Sequence, residues 1–364
     1  MTKPHTPPTT ASTASAATTS SASTSSATPA YNYEPRQRGI TRNSLEAAEI
    51  RLSAGERIHY DKLLLVTGAE PRRLSLPGSG LGGIHYLRTM ADADRLRSAL
   101  QGGGRAVVIG GGWIGSEVAA SARQMGADVT VVEAGELPLL RVLGPELGAF
   151  YRDVHADEGV KFRLGVGIEA LRGEDHVEEV VLADGTTIPA DVVVVGVGVM
   201  PRVELAQFGG LALDNGIRTD AFLATSDPRV WAAGDVANAW HPVFERPIRL
   251  EHWSSALNQG PAAARSMLGQ GTPYEKIPYF FSDQYDVGME YSGYATDWDR
   301  VLFRGDPASR KFIAFWLKGG RVVAGMNVNV WDVAEAITAL VVSKRPVNQD
   351  RLADPEVDLA EVHA

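Results

Sequence analysis

Apolar and polar positions resolve into elements most sharply between residues 105 and 135, RAVVIGGGWIGSEVAASARQMGADVTVVEAG. Residues 106–109 form an unbroken apolar run, the mark of a strand buried on both faces. Helical spacing follows, and residues 129–132 form a second apolar run that ends in Glu133. The pattern predicts strand, helix, strand, with Gly110, Gly112 and Gly115 in G-x-G-x-x-G spacing at the first turn. A unit of this kind binds a dinucleotide. Gly110 suits the tight turn, Gly112 lets the backbone approach a pyrophosphate, and Gly115 lets the helix close on the strand. The pyrophosphate then meets free N–H groups and the positive dipole end of the helix. Glu133, eighteen positions beyond Gly115, stands where an acid accepts from both ribose hydroxyls and repels a 2′-phosphate. NADH is therefore expected over NADPH.

Elsewhere the pattern is one of short elements. Alternation over residues 49–52 and 57–60 around Ser53-Ala54-Gly55 predicts a hairpin. Residues 62–71, KLLLVTGAEP, read as a buried strand ending at Thr67-Gly68, either an ordinary strand end or a turn where backbone passes close to a ligand. Residues 144–159 read as a helix, and residues 160–188 as short strands with a turn at Asp184-Gly185. Residues 191–200, DVVVVGVGVM, are a buried strand running into Gly196 and Gly198. A third apolar run, residues 230–233, delivers Gly234-Asp235. Such an acid either faces the ligand crevice of an α/β sheet or caps the next helix. Glu251, His252, Trp253 and Gln259 cluster early in the stretch 250–268; here the alternatives are a packed Trp and a capping Glu. From Pro273 onward strands and aromatic residues dominate, so a separate small α+β domain is expected.

Composition narrows the chemistry. The chain has 364 residues, enough for two or three domains. Residues 1–30 are almost entirely Ser, Thr, Ala and Pro and are expected to be disordered, because they cannot bury enough apolar surface to offset their ordering entropy. This stretch reads neither as a signal peptide nor as a transit peptide, and a cytoplasmic location is expected. No apolar run reaches the roughly 18 residues of a membrane span. A net charge of −9 argues against a general nucleic-acid binder. The chain contains no cysteine, which excludes disulfides, cysteine-ligated metal centres and a redox-active dithiol. Redox chemistry must then run through a bound cofactor, and no metal site is expected.

Taken in order, KLLLVTGAEPRRL, HYLRT, VVIGGGWIGSEVA, VVVVGVGVMPR, TSDPRVWAAGDVA, EHWSSALNQG and FFSDQYD make the chain from about residue 40 resemble the FAD-dependent, NADH-using ferredoxin reductases of the putidaredoxin and rubredoxin reductase type. The resemblance implies an α/β fold of two nested Rossmann-like dinucleotide-binding domains followed by a C-terminal α+β domain. It divides the chain into a tail (residues 1–35), an FAD-binding domain (36–103 and 202–272), an NAD-binding domain (104–201) and a C-terminal interface domain (273–364). It also implies the site residues. Thr67, Gly68, Arg88, Asp235 and Trp253 match FAD contacts, with Asp235 at the ribityl chain and the Trp253 backbone at the pyrimidine edge of the isoalloxazine. Gly110, Gly112, Ile114, Gly115, Glu133 and Gly198 match the NAD site. Glu117 falls where the family places a carboxylate near the nicotinamide; alternatively it is an acid of the first helical turn, favoured by the dipole. The implied reaction passes hydride from NADH to FAD, which then releases electrons singly to a ferredoxin or rubredoxin-like carrier. Such carriers are acidic, so Arg304, Arg310, Lys311, Lys318 and Arg321 are candidates for a basic docking patch, or else a solvated face.

One family feature is absent from this sequence. Members begin with their own strand and G-x-G-x-x-G for the ADP half of FAD, whereas residues before 40 hold only the Ser/Thr/Ala tract and residues 31–38. The FAD domain is therefore expected to be incomplete, through a misplaced start or frameshift, through degeneration, or because a partner supplies the unit. The alternative to the reductase is a non-catalytic, FAD-deficient remnant that still binds NADH.

Overall fold

The computed structural model describes residues 40–364, one compact unit. The Ser/Thr/Ala-rich tract lies outside the described residues.

The two apolar runs of the fingerprint become the centre of a five-stranded sheet. Its order is Ile84–His85, Val192–Val195, Arg105–Ile109, Asp128–Glu133 and Lys161–Leu164, all parallel. Val107, Val108, Val129, Val193 and Val194 are 1% exposed or less, which is why these strands show no alternation. The helix Trp113–Gln124 follows the glycine turn and lays Val118, Ala119 and Ala122 on the sheet. The helix Met90–Leu100, held at its start by a reciprocal Thr89 and Asp92 capping box, adds Leu96 and Leu100 to the same core. Residues from Ile84 to Leu100 thus pack with the five-stranded parallel sheet. On its other face a three-stranded antiparallel layer, Ile168–Arg172, Glu179–Leu182 and Thr187–Pro189, closes over Val107, Ile109 and Val195.

The remaining strands of the N-terminal half are shorter. Leu63–Leu65 pairs in parallel with Val230–Ala232, and Ala69–Pro71 pairs antiparallel with Val199–Pro201. A further sheet joins Ile217–Thr219, Ala237–His241 and Arg246–Ile248. The hairpin Glu49–Leu52 with Arg57–His59 forms as the alternation predicts, and Ile40–Ser44 adds a third strand.

The C-terminal sheet runs Tyr279–Gln284, Val287–Gly293, Arg321–Val328, Lys311–Lys318 and Arg300–Asp306, antiparallel throughout. The strand Lys311–Lys318 is buried on both faces. Ile313, Phe315 and Leu317 meet the helix Ala334–Ser343, while Phe312, Ala314 and Trp316 meet Leu147, Tyr151 and Val154 of the helix Pro145–Asp157. That second core joins the C-terminal sheet to the half that holds the glycine turn. Among the described residues no helix is long and apolar enough to cross a membrane, and no acid, His or Cys cluster could hold a metal ion.

Candidate functional site

The glycine turn is shaped by its neighbours. Gly110 has φ +101°, and a Cβ there would lie 2.5 Å from the Gly196 carbonyl oxygen. A Cβ on Gly115 would lie 1.9 Å from the Gly110 carbonyl oxygen, so the helix can cross the strand this closely only without a side chain. Gly112 differs: a Cβ there would meet nothing within 4 Å. It is the N-cap of the helix, and no side chain caps it, so first-turn N–H groups open onto that space. Glu133 ends the second strand with its carboxylate fixed at both oxygens. Gly111 N–H donates to Oε2 (2.6 Å) and Gly135 N–H to Oε1 (2.8 Å). Each oxygen keeps further lone pairs for a ribose. Ile114 is 41% exposed on the first helical turn, and Gly198, φ +96°, lies beside Arg72. The residues present fit a dinucleotide diphosphate and its adenosine ribose.

A second cleft, of about 470 Å³, opens at the ends of the paired strands Leu63–Leu65 and Val230–Ala232 and is lined by Val66, Gly68, Arg88, Asp235, His252 and Trp253, with Ala233 and Ala256 in its wall. Its volume lies in the ordinary range for small-molecule sites. Gly68, φ +69°, lets Arg88 pass at the distance where a side chain would press on the guanidinium. Arg88 donates to Asp235 Oδ2 (3.3 Å). Asp235 sits within the single 3-10 turn Gly234–Val236, so it is no helix cap. The Gly234 N–H donates to Gln259 Oε1 (2.8 Å), which ties the turn to the helix Trp253–Met267. Trp253 is the first residue of that helix and 68% exposed; its N-cap, His252, offers no side-chain bond, so the first-turn N–H groups face the cleft without a cap. Glu251 is not a cap either, since it pairs with Arg249 (2.5 Å). Burial pushes His252 down to about 4, so it is neutral near pH 7. Acceptor, cation and free N–H groups around an apolar floor fit the ring and ribityl parts of a flavin. The described residues hold no second G-x-G-x-x-G between a strand and a helix for its diphosphate; the same spacing at Gly78, Gly80 and Gly83 leads only into the short strand Ile84–His85.

The cradle and the cleft share one connection. The strand Val192–Val195 runs into Gly196, which meets Gly110; residues 199–201 then pair beside Gly68. Arg202 closes the junction, its N–H donating to Gly68 O (2.9 Å) and its carbonyl accepting from Thr67 Oγ1 (2.5 Å). Thr67 therefore acts on the backbone that joins the two sites.

Glu117 is the fifth residue of its helix, not a first-turn acid, and it is turned toward the C-terminal sheet. Ser282 Oγ donates to its Oε1 (2.6 Å). Burial raises its proton affinity, the Ser282 bond opposes this, and nearby Asp283 adds to the rise. Sequence reasoning missed Ser282, a small polar residue inside an aromatic strand, and Val66, an apolar residue 61% exposed at the end of a buried run. Neither position carries a signal beyond its place in the pattern.

The expected basic patch is largely consumed by the chain itself. Arg310 pairs with Asp157 and Asp286, and Lys318 with Asp297 and Asp299. Arg304 donates to the carbonyls of Leu352, Pro355 and Val357. Nearby acids and backbone carbonyls claim three of the five charges, a pairing that local sequence cannot show.

Two family models match the chain, pyridine nucleotide-disulphide oxidoreductase over residues 5–260 and reductase C-terminal over residues 279–363. The chain is 41% identical over 315 residues to the ferredoxin–NAD(+) reductase component of the anthranilate 1,2-dioxygenase system of Burkholderia cepacia, covering 86% of this chain and 78% of that protein. It is 36% identical to putidaredoxin reductase of Pseudomonas putida, covering 89% and 78%. Among solved structures it is similar to the covalent putidaredoxin reductase–putidaredoxin complex, with TM-score 0.86, 35% identity and 89% and 79% covered. It is equally similar to a ferredoxin reductase from Rhodopseudomonas palustris, with TM-score 0.86, 36% identity and 90% and 81% covered.

Proposed function

The chain belongs to the pyridine nucleotide-disulphide oxidoreductase family, and on that premise we propose that it is a flavoprotein that takes electrons from NADH through FAD to a ferredoxin-type iron–sulfur carrier. The observation that carries the reading is the shared connection at residues 196–202, which joins the glycine turn of the fingerprint to the cleft lined by Arg88 and Asp235. The family's dithiol chemistry is closed to a chain without cysteine. The named activities of the reductases from Burkholderia cepacia and Pseudomonas putida support the carrier.

Bound FAD would supply the conversion of one hydride into two single electrons. The residues divide the remaining work. Arg88 balances the charge of Asp235, whose Oδ1 is left to accept from a ribityl hydroxyl. The uncapped N–H groups at Trp253 donate to the pyrimidine edge. Gly112 and the helix behind it receive the diphosphate of NADH, and Glu133 accepts from its ribose hydroxyls and disfavours a 2′-phosphate. Gly198 and Ile114 border the bound nucleotide, and Glu117 marks its nicotinamide end. Neutral His252 adds no cation to the cleft wall near pH 7. We place the protein in the cytoplasm, which cell fractionation would check.

Among the described residues no second glycine turn joins a strand to a helix, and this favours one further reading, an FAD-deficient chain that binds NADH alone. Steady-state NADH oxidation with a [2Fe–2S] ferredoxin as acceptor, run with and without added FAD, separates the two. Electron transfer that depends on both FAD and ferredoxin is expected. NADH binding with no turnover under any condition would leave only the remnant.

A further inference from the structure

Glu117 ends a chain of side chains that starts in the C-terminal sheet. Ser282 Oγ donates to Glu117 Oε1 (2.6 Å), and Gln284 Nε2 donates to Ser282 Oγ (3.1 Å). Gln284 Oε1 lies 2.8 Å from His155 Nε2, and the Tyr285 hydroxyl lies 3.2 Å from His155 Nδ1. Chemistry fixes the directions. An amide oxygen only accepts, so His155 Nε2 carries the proton, and the neutral ring accepts at Nδ1 from Tyr285. Burial holds His155 below its ordinary range, which keeps it neutral. Every bond then points the same way, from Tyr285 through His155, Gln284 and Ser282 to the carboxylate. His155, Ser282 and Gln284 are at most 3% exposed, and such aligned bonds polarise one another.

The other groups facing Glu117 do not favour its charge. Asp283 approaches from the same strand as Ser282, and Tyr151 from the helix Pro145–Asp157, with a buried hydroxyl that has no hydrogen-bond partner. No Lys or Arg among the described residues forms an ion pair with Glu117. We propose that Tyr285, His155, Gln284 and Ser282 are positioning residues that aim the Glu117 carboxylate at the nicotinamide end of the NADH site, tying the charge there to the seating of the C-terminal sheet. The inference rests on the reading of Glu117 as the nicotinamide contact. Loss of hydride leaves the nicotinamide ring positively charged, and a fixed carboxylate beside it favours that charge.

Two measurements test this. The first follows the Glu117 signal by NMR in nucleotide-free protein carrying carboxyl-13C glutamate, assigned through E117Q. Removing a donor to the charged form raises proton affinity. S282A should move the midpoint up by about one pH unit, a tenfold change. Y285F should move it the same way by less, and S282T, which keeps the hydroxyl, should restore it. The second compares NAD+ and NADH affinities across the same pH range. Their ratio should fall as Glu117 protonates, at a pH about one unit higher in S282A, and should be flat in E117Q. A midpoint unmoved in S282A and Y285F, or a ratio that E117Q leaves unchanged, would overturn the inference. Failure of the wild-type protein to bind either nucleotide would overturn the functional reading instead, and the NMR midpoint distinguishes the two because it needs no nucleotide.

Discussion

The same methyl group should have opposite consequences at two glycines three residues apart. At Gly115 an added Cβ would sit 1.9 Å from the Gly110 carbonyl oxygen and 3.5 Å from Val108 Cγ1. Ordinary contact begins near 3.4 Å, so the helix Trp113–Gln124 must withdraw from the strand by about 1.5 Å. Withdrawal loosens Val118, Ala119 and Ala122 from Val108, Val129 and Val131, and overpacking of this kind costs about 1–3 kcal/mol. For a protein of this size that corresponds to a fall of several degrees in Tm, at about 2–4 °C per kcal/mol. Gly112→Ala meets no protein atom within 4 Å and keeps an ordinary backbone, φ −78°, so stability should stay within about 1 kcal/mol. Its methyl instead occupies the space open to the diphosphate, and NADH affinity should fall by at least tenfold, about 1.4 kcal/mol. Calorimetry and NADH titration of both variants make the comparison. Equal Tm losses, or a Gly112→Ala variant that binds NADH like wild type, would refute the assignment of packing to Gly115 and ligand approach to Gly112.

Three further outcomes follow from the site. Asp235→Asn should weaken FAD retention by roughly tenfold or more, the order of one charge-assisted hydrogen bond, measured as flavin content after dialysis, with Tm little changed. Glu133→Ala removes a carboxylate fixed by Gly111 and Gly135, so the preference for NADH over NADPH should narrow by about tenfold in paired titrations. His252 is held at about 4 in the fold against about 6.5 when unfolded. Its stabilisation is therefore complete above pH 6.5 and lost as pH falls toward 4, and His252→Phe should flatten that part of the Tm profile.

The nucleotide half of the protein was legible because its signals are local. A buried strand, three spaced glycines and an acid eighteen residues on are all written within thirty residues, and the fold places them as one unit. Asp235 was legible as an acid following a buried run, whereas excluding the helix cap needed the 3-10 turn, and the pairing with Arg88 was not legible at all. What sequence could not show is pairing over long separation. The engagement of Arg310 with Asp157 and of Glu117 with Ser282 joins elements more than 150 residues apart, and only the core between Tyr151, Phe312 and Trp316 brings them together. The packing of Ile84–His85 beside Val192–Val195 is equally hidden, since a two-residue strand has no readable period.

The central claim is that one junction presents NADH to a flavin. An anaerobic visible-absorption titration of the purified protein, first with FAD and then with NADH, tests it most directly. The account predicts a bound flavin band that NADH bleaches at one equivalent. A protein that binds NADH but shows no flavin band after incubation with FAD would contradict it.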